Sequence, residues 1–247
     1  MRADRILILG GTREGRELAA GLIAEGHDVI TSLAGITSAP VLPDGTVRRG
    51  GFGGSEGLAQ YLRTQAISTL IDATHPFAAQ MSRNAQLAAQ ATGVRLLRLE
   101  RPPWVPQEGD NWISMRSATA AAMSLPEGAR VLLTIGRKEA GAFFTRSGIG
   151  GVARMIEPAG QDVPAHWKVV LERPPFAISD EVELMTRHHI THLVTKNAGG
   201  EDSVAKLCAA RTLSIPVVMI ERPEKPSVRS FSDVRALIQT HGAMLLP

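Results

Sequence analysis

The chain repeats itself. Residues Thr74–Pro102 and Thr195–Pro223 align without a gap at a constant offset of 121 residues. In each copy an apolar strand ends in a polar loop and an alanine-rich helix follows. Ala85-Gln86-Leu87-Ala88-Ala89 stands against Lys206-Leu207-Cys208-Ala209-Ala210. A short turn then leads into a strand, Val94-Arg95-Leu96-Leu97 against Ile215-Pro216-Val217-Val218. Both copies close on Glu-Arg-Pro, at residues 100–102 and 221–223. The openings echo each other as well: Leu9-Gly10-Gly11-Thr12-Arg13-Glu14 is similar to Thr134-Ile135-Gly136-Arg137-Lys138-Glu139 at an offset of 125. Repetition of this length points to duplicated architecture.

Strands alternate with helices in both halves. The first half reads as strand Arg5–Leu9, helix Arg13–Glu25, strand Asp28–Leu33, helix Gly57–Gln65, strand Thr69–Ala73, helix Ala78–Thr92 and strand Arg95–Leu99. The second reads as strand Arg130–Ile135, helix Lys138–Thr145, strands Gly151–Ile156 and Trp167–Leu171, helix Asp180–His188, strand His192–Thr195, helix Asp202–Thr212 and strand Pro216–Ile220. The pattern predicts an α/β fold of two Rossmann-like halves, with mainly parallel sheets and helices on both faces. Right-handed crossovers put each strand-to-helix loop at the carboxyl end of its sheet. Two such rims facing each other would form a ligand cleft between the halves.

With 247 residues the chain can hold two small domains, expected at 1–115 and 116–247. The hinge is expected between about Pro102 and Pro126, a proline-bearing stretch. After each Glu-Arg-Pro comes a loop, a short strand and a helix: Trp112–Met115 with Ala118–Met123, and Val228–Phe231 with Asp233–Thr240. These can complete the sheet of their own half or cross to the other; the sequence leaves both open.

Composition narrows the function classes. No apolar run approaches the roughly 20 residues that span a bilayer, and Met1–Arg5 carries no signal-peptide pattern. Cys208 is the single cysteine, so neither an intramolecular disulfide nor a cysteine metal cluster is expected, and Cys208 reads as packing. A cytoplasmic location and no membrane partner are the expectation. Net charge is +3 with scattered cations and 4% aromatics, which gives little support to nucleic-acid binding and suits an anionic small molecule better. No zinc spacing, nucleophile elbow, P-loop or triad is present, so no metal site is expected. That absence suits hydride transfer, in which a cofactor brings the reactive centre.

The candidate chemistry sits at the strand ends. Ile6-Leu7-Ile8-Leu9 runs into Gly10-Gly11-Thr12-Arg13-Glu14-Gly15, a buried strand, a glycine turn and a helix N-terminus that can hold a phosphate. Thr12 replaces the middle glycine of the dinucleotide fingerprint, so the motif reads either as a nucleotide site or as an ordinary βα turn. The second strand ends Thr31-Ser32-Leu33-Ala34-Gly35, with no acid for a ribose 2′-hydroxyl, which favours NADP over NAD if a dinucleotide binds. Arg48-Arg49-Gly50-Gly51-Phe52-Gly53-Gly54 is either an anion-binding loop or a flexible one. At Asp72-Ala73-Thr74-His75-Pro76-Phe77 the proline holds His75 extended, and His75 either serves a ligand or caps the helix. In the second half, Gly136-Arg137-Lys138, Arg154 and Thr195-Lys196-Asn197-Ala198-Gly199-Gly200 gather cations and backbone donors on one rim. Such a rim suits a polycarboxylate, although plain solvated charge gives the same pattern.

The segments Ile8–Gly15, Asp72–Ala78, Ile135–Arg137 and Thr195–Gly200 resemble the precorrin-6A reductase family of cobalamin biosynthesis, in the right order and over nearly the whole chain. Glu172-Arg173-Pro174-Pro175-Phe176 departs from the family, which would carry a glycine before Pro175. The resemblance implies an oxidoreductase acting on a CH–CH bond, in which NADPH reduces the anionic tetrapyrrole precorrin-6A to precorrin-6B. It implies phosphate contacts at Gly10, Gly11, Thr12 and Arg13, a 2′-phosphate reader at Ser32, and further cofactor contacts at Gly35, Thr74 and Pro76. His75 would lie beside the nicotinamide. Arg137, Lys138, Arg154, Lys196 and Asn197 would hold substrate, and Lys196 or His75 would supply the completing proton. Three other readings stand beside it: the cobalt-precorrin-6A reductase of the anaerobic pathway, a non-catalytic NADP sensor, and an S-adenosylmethionine-dependent methyltransferase. Oligomeric state is not legible.

Overall fold

The computed structural model describes residues 4–35 and 41–243, so Met1–Ala3 of the N-terminal stretch read for a leader lie outside it. Among the described residues the elements run β1 (Arg5–Leu9), α1 (Arg13–Ala24), β2 (Asp28–Leu33), β3 (Thr46–Arg49), α2 (Gly54–Thr64), β4 (Thr69–Asp72), α3 (Ala79–Thr92) and β5 (Arg95–Leu99). Then come β6 (Trp112–Met115), α4 (Ala118–Ser124), β7 (Arg130–Leu133), α5 (Arg137–Phe144), β8 (Gly150–Met155), β9 (Trp167–Leu171), α6 (Ile178–Arg187), β10 (His192–Lys196), α7 (Ala205–Thr212) and β11 (Val217–Ile220). The chain ends with β12 (Ser230–Phe231) and α8 (Val234–Ala243).

Two six-stranded sheets form, ordered β12-β5-β4-β1-β2-β3 and β6-β11-β10-β7-β8-β9. The paired strands are parallel in both. Taken from the far edge, each sheet has the doubly wound 3-2-1-4-5-6 order. The expected α/β architecture of two Rossmann-like sheets is thus present, and the duplication extends to topology.

The sixth strand of each sheet comes from across the repeat boundary. Backbone amides of Arg98 and Glu100 on the β5 edge donate to the carbonyls of Arg229 and Phe231, both at 2.9 Å. On β11, the Val217 amide donates to the Asn111 carbonyl and the Glu221 amide to the Met115 carbonyl, both at 2.8 Å. The segments after both Glu-Arg-Pro motifs therefore cross. The chain divides into one compact unit of Met1–Pro102 with Pro223–Pro247 and a second of Pro103–Arg222. This replaces the expected contiguous split at 115/116: β6 completes the second sheet, and β12 with α8 returns to the first.

Apolar alternation explains the layers of the first unit. Side chains of β1 point alternately to its two faces. Ile6 and Ile8 pack with Leu18, Ala19 and Leu22 of α1 and Leu237 of α8. Leu7 and Leu9 pack with Leu58 and Leu62 of α2 and Ala85 and Ala88 of α3. In the second unit Leu132, Val152, Leu193 and Val217 meet Met185 of α6 and Leu207 and Ala210 of α7. β3 was not expected as a strand. It is a four-residue edge with no buried residue, set between Gly45 and Gly50, so it lacks the apolar run that marks the inner strands. No helix among the described residues is long and apolar enough to cross a membrane.

Leu237 is fully buried in the core of the first unit although it lies in the returning segment. Leu237→Ala is expected to lower unfolding stability by about 2–5 kcal/mol. Urea denaturation followed by circular dichroism checks this; a negligible change would remove α8 from that core.

Candidate active site

Doubly wound sheets bind ligands at the carboxyl ends of the strands, where the strand order reverses. In the first sheet that point lies between β1 and β4, and in the second between β7 and β10. Most of the predicted site residues fall at these two places.

In the first unit the glycine turn follows β1. Gly11 has φ +113°, a conformation that favours glycine, and a Cβ there would meet nothing within 4 Å. The turn therefore presents bare backbone to open space, directly ahead of α1. Gly10 serves differently. Its amide donates to the Ser32 carbonyl at 2.9 Å, and a Cβ would stand 2.8 Å from Thr31 Cγ2. Gly10 is thus a close-packing glycine between β1 and β2 whose N–H is already used in the sheet.

Thr12 is the N-cap of α1, a role worth about 1 kcal/mol in helix stability. Its hydroxyl accepts from the Gly15 amide at 3.0 Å and donates to the Ala73 carbonyl at 2.9 Å. The Thr12 proton therefore ties the turn to the end of β4. Arg13 opens the helix, and its guanidinium meets Glu17 at 2.7 Å on the exposed side.

The loop after β4 is organised by Asp72, a residue to which the sequence reading gave no role. Its carboxylate is 1% exposed. Oδ1 accepts from the Thr74 hydroxyl at 2.6 Å and the Thr74 amide at 3.2 Å. Oδ2 accepts from Ser82 of α3 at 2.6 Å and from Arg98 Nε of β5 at 3.2 Å. Burial alone would raise its pKa, but the hydrogen bonds from Ser82 and Thr74 and the charges of Lys225 and Arg98 outweigh burial and hold it below the ordinary 3.8. The Thr74 hydroxyl accordingly gives its proton to Asp72. Pro76 is buried, and His75 is exposed with Nδ1 accepting from the Phe77 amide at 3.2 Å. That bond leaves the neutral imidazole its proton on Nε2.

At the end of β2, Ser32 is buried and its hydroxyl accepts from Arg48 Nη1 at 3.1 Å. Arg48 also donates to the carbonyls of Gly50 and Gly51 at 2.5 and 2.6 Å and lies 3.7 Å over the Phe52 ring. Gly35, at φ +73°, packs against the backbone of Gly50. The glycine-rich loop is therefore held by a guanidinium, and the positive charge beside Ser32 belongs to Arg48. The Arg-Arg-Gly-Gly run in the sequence was its only signal.

In the second unit, Gly136 at φ +82° leads into α5, with nothing within 4 Å of a Cβ placed there. Arg137 is half-buried and Lys138 exposed in the first turn of α5. Lys196 at the end of β10 meets Glu139 Oε2 at 2.5 Å, so these residues do gather at one switch point. Two predicted substrate residues do not join them as donors. Arg154 is buried, paired at 2.6 Å with the fully buried side chain of Glu181 and covered by Phe176 at 3.8 Å. Asn197 spends its amide on Trp104: Oδ1 accepts from the backbone N–H at 2.8 Å, and Nδ2 donates to the carbonyl at 3.0 Å. Both are engaged within the unit.

A duplicated, doubly wound α/β enzyme with polar groups gathered at both switch points is the class these observations define. Within it, the family model described as precorrin-6x reductase CbiJ/CobK matches residues 5–241, and the chain belongs to that family. The chain is 46% identical to the precorrin-6A reductase of Rhodococcus erythropolis, over 97% of this chain and 98% of that one. It is 42% identical to the precorrin-6A reductase of Rhodobacter capsulatus over 97% of each. The cobalt-precorrin-6A reductase of Priestia megaterium is 27% identical over 89% of this chain and 91% of its own. Among solved structures, CobK precorrin-6A reductase matches with a TM-score of 0.92 at 40% identity, over 97% of this chain and 96% of that one.

Asp72→Asn is expected to cost about 3–5 kcal/mol at neutral pH, because it leaves buried Arg98 without its counter-charge. A lowered carboxylate pKa stabilises the fold above the unfolded value near 3.8 and loses that stabilisation as pH falls through the folded value. The gap between wild type and Asp72→Asn should therefore close below about pH 4. Denaturant unfolding at neutral and acid pH measures it.

Proposed function

We propose that this chain reduces precorrin-6A to precorrin-6B with NADPH. The observation that carries the reading is Gly11. It holds a left-handed turn with open space where a side chain would stand, at the β1/β4 reversal and ahead of the α1 N-terminus. Backbone amides and a helix dipole directed at such a space suit a pyrophosphate. Family membership points to a nicotinamide cofactor, and the residues fit the phosphorylated form: no acid ends β2, and Arg48 stands beside Ser32. In this reading the amides of Gly11, Thr12 and Arg13 grip the pyrophosphate, and Arg48 with Ser32 reads the 2′-phosphate.

When bound, NADPH supplies the hydride. The chain positions the reactants and keeps charge and protons in place. His75, held by Phe77 and by the Asp72-anchored loop, keeps a proton at Nε2 near the nicotinamide position. Arg137, Lys138 and Lys196 attract the substrate carboxylates, and Glu139 holds the Lys196 ammonium at the rim. The completing proton comes from His75 Nε2 or Lys196 Nζ. Near-attack placement is the main requirement for such a transfer.

The metal-free substrate is favoured over the cobalt-containing one. Identity to the named precorrin-6A reductases is 42–46%, against 27–31% to the named cobalt-precorrin-6A reductases. Turnover with the two substrates side by side tests this preference; faster reduction of the cobalt form would reverse it. Purified protein with precorrin-6A should oxidise NADPH, and Gly11→Val should abolish cofactor binding while the fold persists by circular dichroism. Lack of NADPH oxidation by folded wild type would refute the reading.

Arg48→Gln is expected to raise the KM for NADPH about 10–100-fold, the worth of one charge-assisted contact, and to leave the KM for NADH nearly unchanged. Steady-state kinetics with both cofactors checks the split.

A further inference from the structure

At the amino end of the first sheet, opposite the glycine turn, lies a cluster that the reductase reading does not use. Asp4 precedes β1, His27 precedes β2, and His241 belongs to α8. Among the described residues they form the one group of three potential metal ligands, with ligand atoms all within 4.8 Å of one another. His241 is fully buried. Its Nε2 meets Asp4 Oδ2 at 2.7 Å as an ion pair, while Nδ1 has no hydrogen-bond partner. One ion pair is thus all that engages a fully buried imidazole, its second ring nitrogen being left open, whereas buried polar groups are normally paired. The other Asp4 oxygen is occupied: Oδ1 accepts from Ser68, which fixes the carboxylate and leaves Oδ2 turned toward the imidazoles.

We infer that Asp4, His27 and His241 bind a divalent transition-metal ion, with zinc the best match. Two imidazoles and one carboxylate are the donors that zinc takes, at about 2.0–2.2 Å each. Tetrahedral ligands at those lengths stand roughly 3.3 Å apart, so the cluster needs only small side-chain rotations to close on an ion. Glu25 can supply the fourth ligand, since its Oε2 lies 3.8 Å from His27 Nε2. The role is structural. The ion joins the start of β1, the turn before β2 and the returning helix α8, and so fastens the segment that crosses back to the first sheet. An ion that binds only the folded chain stabilises it by mass action.

The test uses the untagged full-length chain, stripped with a chelator and then titrated with zinc chloride. Calorimetry should show one zinc per chain, and thermal unfolding should shift upward with added zinc. His27→Gln, in a half-buried turn, should weaken uptake by about tenfold or more and abolish the thermal shift. His241→Gln should do the same; should it fail to fold, His27→Gln decides alone. No uptake by folded wild type overturns the inference. So does uptake that His27→Gln leaves unchanged, which would assign the ion to other residues such as His188, His189 or Cys208. Reductase activity enters neither measurement, so this outcome is independent of the proposed reaction.

Discussion

A single buried carboxylate holds the first switch point together. Asp72 ends β4 and receives hydrogen bonds from the loop that follows it, from α3 and from β5. It draws the Thr74-His75 loop back over the sheet and balances Arg98, whose own Nη1 reaches the Pro226 carbonyl of the returning segment. Thr12 completes the connection, since its hydroxyl joins the glycine turn to Ala73 next door. The turn, the histidine loop and the exchanged edge are therefore one hydrogen-bonded assembly built around a charge that water cannot reach. Buried ion pairs of this kind are weak sources of net stability but costly to break. That asymmetry suits a site whose geometry has to be kept.

The second unit uses the same topology with different chemistry. Where the first has an acid at the end of β4, the second has Lys196 at the end of β10, paired with Glu139 rather than buried beneath a loop. The glycine turn recurs as Gly136, but the loop after β10 is braced by Trp104 and by Arg222, which donates to the carbonyls of Asn197 and Ala198. The two units share one frame and carry different polar groups at their strand ends.

The positions of the strands along the chain were largely legible, because inner parallel strands are apolar on both faces and stand out as runs such as Ile6–Leu9 and Val217–Ile220. β3 was not, because an edge strand needs no apolar run. The glycine turn was visible, yet the separate duties of Gly10 and Gly11 depend on a φ angle and on the approach of Thr31, neither of which is written in a motif. Arg154 and Asn197 read as ligand groups because residue type shows donors without showing whom they serve; Glu181 and the Trp104 backbone take them first. Asp72 and Arg48 lie inside the Asp72–Phe77 and Arg48–Gly54 segments, but their partners, Ser82, Arg98 and Ser32, come from other elements. The cluster of Asp4, His27 and His241 has no spacing signature, since its members are brought together only by the return of the chain.

The crossed edges also bear on synthesis. The second unit, Pro103–Arg222, is an uninterrupted stretch of chain, whereas the first is closed only by residues beyond Pro223. As the polypeptide leaves the ribosome, the outer edge of β5 stays without its neighbour until Ser230 and Phe231 have emerged. The half made first is thus finished last. In the interval its open backbone edge is exposed to mispairing, a hazard that ends when the last helix docks.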